Sequence, residues 1–108
     1  MKYHLFSILF FISTLYPDVV YRVPINGVID LGLPPFIERA LDEAEANNAK
    51  AVIFDINTFG GRVDAATQIK DAILSSKVPT IAFINRRAIS AGALISLSCE
   101  KIYMTGGG

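Results

Sequence analysis

The stretch that decides the fold of this chain is AVIFDINTFGG, which covers residues 51–61. Its first part, residues 51–56, is a nearly uninterrupted apolar run with the length of one β-strand. Runs of this kind are typical of strands in a parallel sheet that helices cover on both faces. We therefore predict a buried strand over residues 51–56, followed by a loop over residues 57–61 that ends in Gly60-Gly61.

Segments with the pattern of strands and of helices alternate on both sides of this stretch. β-branched and aromatic residues mark the strands, and apolar residues at helical spacing mark the helices. The short connections predict repeated β-α-β units, and hence an α/β fold with a parallel sheet and right-handed crossovers. The predicted strands cover residues 19–25, 51–56, 80–84 and 101–104, and the predicted helices cover residues 34–46, 63–74 and 91–97.

The composition excludes several classes of function. The 108 residues, 52% of them apolar, suffice for one modest domain, and ten basic residues balance ten acidic ones. Such a chain has no electrostatic footprint for nucleic acid. Its only cysteine, Cys99, cannot form an internal disulfide or a zinc cluster, and we predict that it is a small core residue. Residues 106–108 lack the lysine of a phosphate-binding loop, so no nucleotide is predicted. No other cofactor and no metal are predicted either.

The N-terminus carries a candidate leader. Residues 5–16 form an uncharged apolar run, shorter than the roughly 20 residues of a membrane-spanning helix and within the roughly 7 to 15 of a secretory signal. No small residues of a cleavage site follow it, because Pro17-Asp18 comes next. A signal peptide and a short membrane anchor both stay open. We predict a leader over residues 1–17, a folded domain over residues 18–108, and export or membrane association.

Two loops at the carboxyl ends of predicted strands contain the candidate chemistry. Gly60-Gly61 lets the backbone approach a ligand closely, although two glycines after a strand also make a plain turn. Ser90 precedes the helix over residues 91–97, where it is either a helix N-cap or a nucleophile beside the Ala91 amide. Together the loops favour acyl chemistry, whose transition state needs a nucleophile and oxyanion donors at once. With the only histidine at position 4, no imidazole is available in the folded part to activate Ser90.

Residues 57–66 and 85–93 together resemble the N-terminal protease domain of NfeD-type membrane proteins, which are related to signal peptide peptidase A. The resemblance covers residues 20–108 and implies a Clp protease/crotonase-like fold. It implies that Ser90 is the nucleophile and that Gly60, Gly61 and Ala91 lie in the segments of the oxyanion hole. Phe59 stands where the family usually has proline, a departure that removes a restriction on the loop backbone.

The resemblance also implies a function, a serine endopeptidase. Its substrates would be extended peptides from apolar segments of membrane proteins, such as stomatin relatives, and the full-length protein would form a homo-oligomer. The family's base is a lysine well downstream of the serine, and Lys101, the only lysine after Ser90, is not at that position. We therefore expect residues 18–108 to be an incomplete domain, inactive alone because the lysine base is absent.

Two alternatives to a protease stay open. A crotonase-like acyl-CoA enzyme would also use two backbone amides, to hold a thioester enolate. The hydroxyl residue at position 90 and the leader both argue against it. The second alternative is an inactive fragment or an interaction module without enzymatic activity.

Overall fold

The computed structural model describes residues 17–108 as four strands that alternate with three helices. Residues 1–16, which make up nearly all of the predicted leader, lie outside the described residues. Within residues 17–108, no helix has the length and apolar character needed to cross a membrane. The elements are β1 (Val20–Asn26), α1 (Leu33–Ala46), β2 (Ala51–Thr58), α2 (Val63–Leu74), β3 (Thr80–Ala88), α3 (Ala91–Ser98) and β4 (Lys101–Met104).

The strands form one parallel sheet in the order β1-β2-β3-β4. In its middle, Ile53 of β2 lies between Arg22 of β1 and Ile81 of β3. Each strand is joined to its neighbour through one helix. The predicted parallel sheet of repeated β-α-β units is therefore confirmed.

The described helices cover one face of the sheet, whereas the apolar run in β2 predicted that helices would cover both faces. Val52, Phe54 and Ile56 are fully buried, but the intervening Ile53 and Asp55 are only half-buried. α1 packs against α2, and α2 packs against α3, so the helices form one layer. The strand order explains the difference, because successive crossovers of one hand between neighbouring strands all fall on the same side of a sheet.

The helices begin and pack as their sequences predict. Pro34 occupies the first turn of α1, where a missing amide hydrogen costs no helical hydrogen bond. Ile37, Leu41 and Ala44 of α1 are buried at helical spacing and contribute to the core between the helices and the sheet. Cys99, just after α3, is buried at the edge of this core, and burial raises the pKa of its thiol to about 11. It is a core residue, as predicted.

Two strands extend beyond their predicted ends. β2 continues to Thr58 and β3 continues to Ala88, through residues predicted to be loops. An irregularity in the register after Ile56 brings Thr58 opposite Ala88. β4, in contrast, ends opposite Ile84. The carboxyl ends of β2 and β3 therefore extend together past β4 and bring the two predicted functional loops to the same edge of the sheet.

Candidate active site

Ser90 connects β3 to α3 and has an unusual backbone conformation, with φ 56° and ψ −115°. Residues other than glycine rarely adopt a positive φ, and holding one there costs on the order of 1–3 kcal/mol. Two hydrogen bonds stabilise the turn on its C-terminal side: the amides of Ala93 and Leu94 donate to the Ser90 carbonyl oxygen at 2.9 and 3.2 Å. The result is a sharp turn from strand to helix, a geometry that exposes the side chain at its apex.

The Ser90 side chain does not cap α3. It makes no capping hydrogen bond, and its backbone is not in the extended conformation typical of an N-cap. Ser90 is exposed at the edge of the sheet. The capping interpretation is therefore wrong, and the hydroxyl is accessible to a ligand.

Gly60 lies directly against Ser90. A Cβ at Gly60 would lie 3.0 Å from the Ser90 Cβ and 3.4 Å from its Oγ. Gly60 also has a φ of 118°, which side chains disfavour. The two loops predicted from the sequence thus meet, and the glycine permits this close approach.

Gly61 fixes the same loop to the segment that follows β1. A Cβ at Gly61 would lie 2.6 Å from the backbone nitrogen of Ile29 and would collide with the Ile29 carbonyl. Two hydrogen bonds hold this contact: the Ile29 amide donates to the Gly60 carbonyl at 3.0 Å, and the Arg62 amide donates to the Ile29 carbonyl at 2.8 Å. The loop is therefore clamped between Ile29 on one side and Ser90 on the other.

The three amides predicted to form an oxyanion hole differ in their hydrogen bonding. The Gly60 amide donates to the Thr58 hydroxyl oxygen at 3.0 Å. The amides of Gly61 and Ala91 donate to no acceptor among residues 17–108. Of the three, the amides of Gly61 and Ala91 are therefore the two that no described residue occupies.

Phe59, which lies in this loop, forms a pair with Arg87 of β3. The guanidinium carbon of Arg87 lies 4.5 Å from the centre of the Phe59 ring, within the range of a cation–π interaction. Arg87 also donates to the Asn57 side-chain oxygen at 3.4 Å. Arg87 is half-buried, and these contacts tie it to both Phe59 and Asn57. Phe59, which stands in place of a proline, is thus held by β3.

No lysine of the described part lies beside Ser90. Lys50 and Lys77 precede β2 and β3, and Lys101 begins β4, so all three lie at the amino edge of the sheet. The nine residues of β3 span about 30 Å and separate that edge from Ser90. Lys70, the fourth, forms an ion pair within α2. Residues 17–108 also contain no cluster of three or more His, Cys, Asp or Glu side chains suited to a metal ion.

Together these features form an arrangement suited to acyl chemistry. An exposed hydroxyl at Ser90 lies at the meeting point of two loops, and each loop has an amide without an acceptor, at Gly61 and Ala91. A nucleophile beside two amide donors is what a tetrahedral oxyanion intermediate requires. Sequence reasoning missed Thr58 and Ile29, which hold the loop; a threonine two residues before a Gly-Gly pair was the available signal for the first of them.

Comparisons with known proteins agree with this fold. Residues 19–108 match the family model described as NfeD1b, N-terminal domain. The chain is 43% identical over 91 residues to Membrane protein NfeD1b of Bacillus subtilis, covering 84% of this chain and 21% of that protein. It is 36% identical over 93 residues to Membrane-bound protease PH1510 of Pyrococcus horikoshii, covering 83% and 21%. The chain therefore spans about a fifth of the length of these curated relatives.

Solved structures show the same fold. A mutant of the 1510-N membrane-bound stomatin-specific protease, in complex with a substrate peptide, superimposes with a TM-score of 0.78 at 34% identity, over 86% of this chain and 44% of that one. A mutant of ClpP1 from Listeria monocytogenes superimposes with a TM-score of 0.70 at 29% identity, over 73% of this chain and 46% of that one. The described residues thus share the fold of part of the ClpP-like protease domains.

Proposed function

This chain belongs to the NfeD1b N-terminal domain family, and from that premise we propose that it carries the nucleophile and the oxyanion hole of a serine endopeptidase. One observation carries the proposal: Ser90 is exposed, held at φ 56° and pressed against Gly60. Backbone strain of this kind persists where the surrounding structure holds it, and it concentrates at active sites.

The site residues take distinct roles in this proposal. The Ser90 Oγ attacks the carbonyl carbon of a peptide bond, and the oxyanion that forms accepts hydrogen bonds from the amides of Gly61 and Ala91. One such donor contributes on the order of 100- to 1,000-fold in kcat. Gly60 gives the loop its close approach to Ser90. When the C–N bond breaks, the leaving amine takes a proton and the acyl group stays on Ser90 until water hydrolyses the ester.

The base that accepts the Ser90 proton is, in this proposal, a lysine outside residues 17–108. Such a lysine must be desolvated to be neutral near pH 7. The lysines at the amino edge of the sheet are too far away for this role. We accordingly expect residues 18–108 alone, an incomplete domain of this kind, to be inactive toward peptides.

The proposed substrate is an extended apolar peptide of a membrane-associated protein. Phe59 and Val63 are both 71% exposed and Ile89 is 49% exposed, so apolar side chains surround the two loops. Among residues 17–108, the last residues of β3 extend past β4 without a partner strand on that side, an edge to which an extended peptide could add. The relative named a stomatin-specific protease supports a stomatin-like substrate, and the relatives named a membrane protein and a membrane-bound protease support membrane association. The leader over residues 1–17 stays a prediction. A homo-oligomer of the whole protein stays a prediction.

The test is Ser90→Ala in the whole natural protein that contains this domain, measured as cleavage of an apolar peptide from a stomatin-like protein. We expect a loss of kcat of at least about 1,000-fold, because the attacking oxygen is gone. Ser75→Ala, at the exposed end of α2, is the matched control and should keep full activity. Cleavage by Ser90→Ala at the original rate would refute the proposal.

A fluorophosphonate probe separates this proposal from acyl-CoA chemistry and from an inactive module. The probe should label the whole protein at Ser90 and should not label the Ser90→Ala variant. An acyl-CoA enzyme that uses only the two amides would bind acyl-CoA equally well with either residue at position 90. An inactive module would neither react with the probe nor bind acyl-CoA.

A further inference from the structure

Thr58, the last residue of β2, is a buried polar side chain at the edge of the site, and its hydroxyl both donates and accepts a hydrogen bond. Its exposed fraction is 1%. The hydroxyl donates to the carbonyl oxygen of Gly27, in the turn after β1, and accepts from the Gly60 amide at 3.0 Å. One hydroxyl therefore links the end of β1 to the loop that contains Gly60.

The rest of Thr58 contacts the second loop. A Cβ at Gly92, in the first turn of α3, would lie 2.5 Å from the Thr58 methyl carbon, so the methyl packs closely against the α3 backbone. The Thr58 carbonyl oxygen accepts from the Ile89 amide at 3.1 Å. Thr58 thus contacts both the segment before Ser90 and the helix after it.

We propose that Thr58 is a positioning residue that orients the Gly60-Gly61 loop against Ser90, an inference that rests on the function proposed above. By occupying the Gly60 amide, its hydroxyl determines that the next amide along the chain, at Gly61, is the one available to an oxyanion. Its methyl keeps the Ala91 end of the site at a fixed distance from the same loop. Thr58 touches no reacting atom, so its effect is on geometry rather than on binding of the substrate.

Two substitutions divide the side chain of Thr58 into its two parts. Thr58→Val keeps the shape and the methyl group but replaces the hydroxyl with a second methyl, so the buried Gly60 amide loses its acceptor. Thr58→Ser keeps the hydroxyl and removes the methyl. We expect Thr58→Val to lower kcat for peptide cleavage by the whole natural protein by about 10- to 100-fold, the effect of a displaced oxyanion donor, with KM changed less than about twofold.

The serine variant is the rescue. Thr58→Ser should keep kcat within about threefold of the wild type, since the acceptor for the Gly60 amide remains. A wild-type kcat in Thr58→Val would overturn the proposal. An equal loss in both variants would also overturn it, because packing of the methyl group would then account for the effect.

Amide hydrogen exchange in the whole natural protein tests the same contact without requiring enzymatic activity. We expect the Gly60 amide to be protected in the wild type and in Thr58→Ser, and to exchange at least about tenfold faster in Thr58→Val. Unchanged protection in Thr58→Val would overturn the proposed hold on the loop. If Ser90→Ala cleaved normally while the exchange result held, the serine mechanism would fail and the hold of Thr58 on the loop would stand.

Discussion

The two turns that meet at the candidate site solve the same geometric problem with opposite residue choices. After β2, Gly60 and Gly61 lie where no side chain fits, against Ser90 and the backbone of Ile29. After β3, Ser90 keeps a side chain in a backbone conformation that glycine would adopt with less strain. In the first turn, glycine avoids a steric clash. In the second turn, the strained backbone conformation of Ser90 is kept together with its hydroxyl. The difference separates what the fold needs from what the chemistry needs.

The largest effect should come from the first turn. Gly61→Ala places a methyl group against the Ile29 backbone, which cannot move aside as a flexible side chain would. We expect the free energy of unfolding to fall by about 3–5 kcal/mol, the range of severe steric substitutions. Urea titration followed by circular dichroism measures it. Gly106→Ala, where the added methyl meets nothing within 4 Å, is the control. Equal stability of the two variants would contradict the close contact between Gly61 and the Ile29 backbone.

The second turn should show the reverse pattern. Ser90→Gly and Ser90→Ala both remove the hydroxyl, but only glycine also removes the strain of a positive φ. We expect Ser90→Gly to be more stable than Ser90→Ala by about 1 kcal/mol, with both variants inactive. Thermal unfolding of the two proteins under identical conditions measures the difference. A more stable Ser90→Ala would mean that the turn at Ser90 is not strained.

At neutral pH the smallest effect is the one at Cys99, just after the helix that follows the second turn, because it vanishes there. Burial raises the pKa of Cys99 to about 11, so the folded chain keeps this thiol proton in a range where the unfolded chain has lost it. The free energy of unfolding should therefore fall as pH rises from about 9 toward 11. Cys99→Ala should remove this part of the slope. An identical pH profile in the variant would show that the Cys99 thiol titrates normally.

The sequence predicts the regular parts of the molecule well, because periodicity reports directly on burial. Helical spacing located Ile37 and Leu41 in the core, and the positions of Gly60-Gly61 and Ser90 after strands indicated where they would gather. The positive φ of Ser90 and the hydrogen bond from Gly60 to Thr58 depend on tertiary contacts that no local pattern records. The same holds for the face of β2 that no described helix covers, which follows from the order of the strands and not from their composition.

The bridge between Ile29 and Gly61 has a consequence for the affinity of the proposed peptide substrate. Because backbone hydrogen bonds on both sides of Ile29 fix the loop, its conformational entropy is lost when the chain folds and not when a peptide arrives. A mobile loop would have to become ordered during each binding event, at a cost to affinity. A loop already ordered lets contacts with the peptide appear in full as affinity and as transition-state stabilisation.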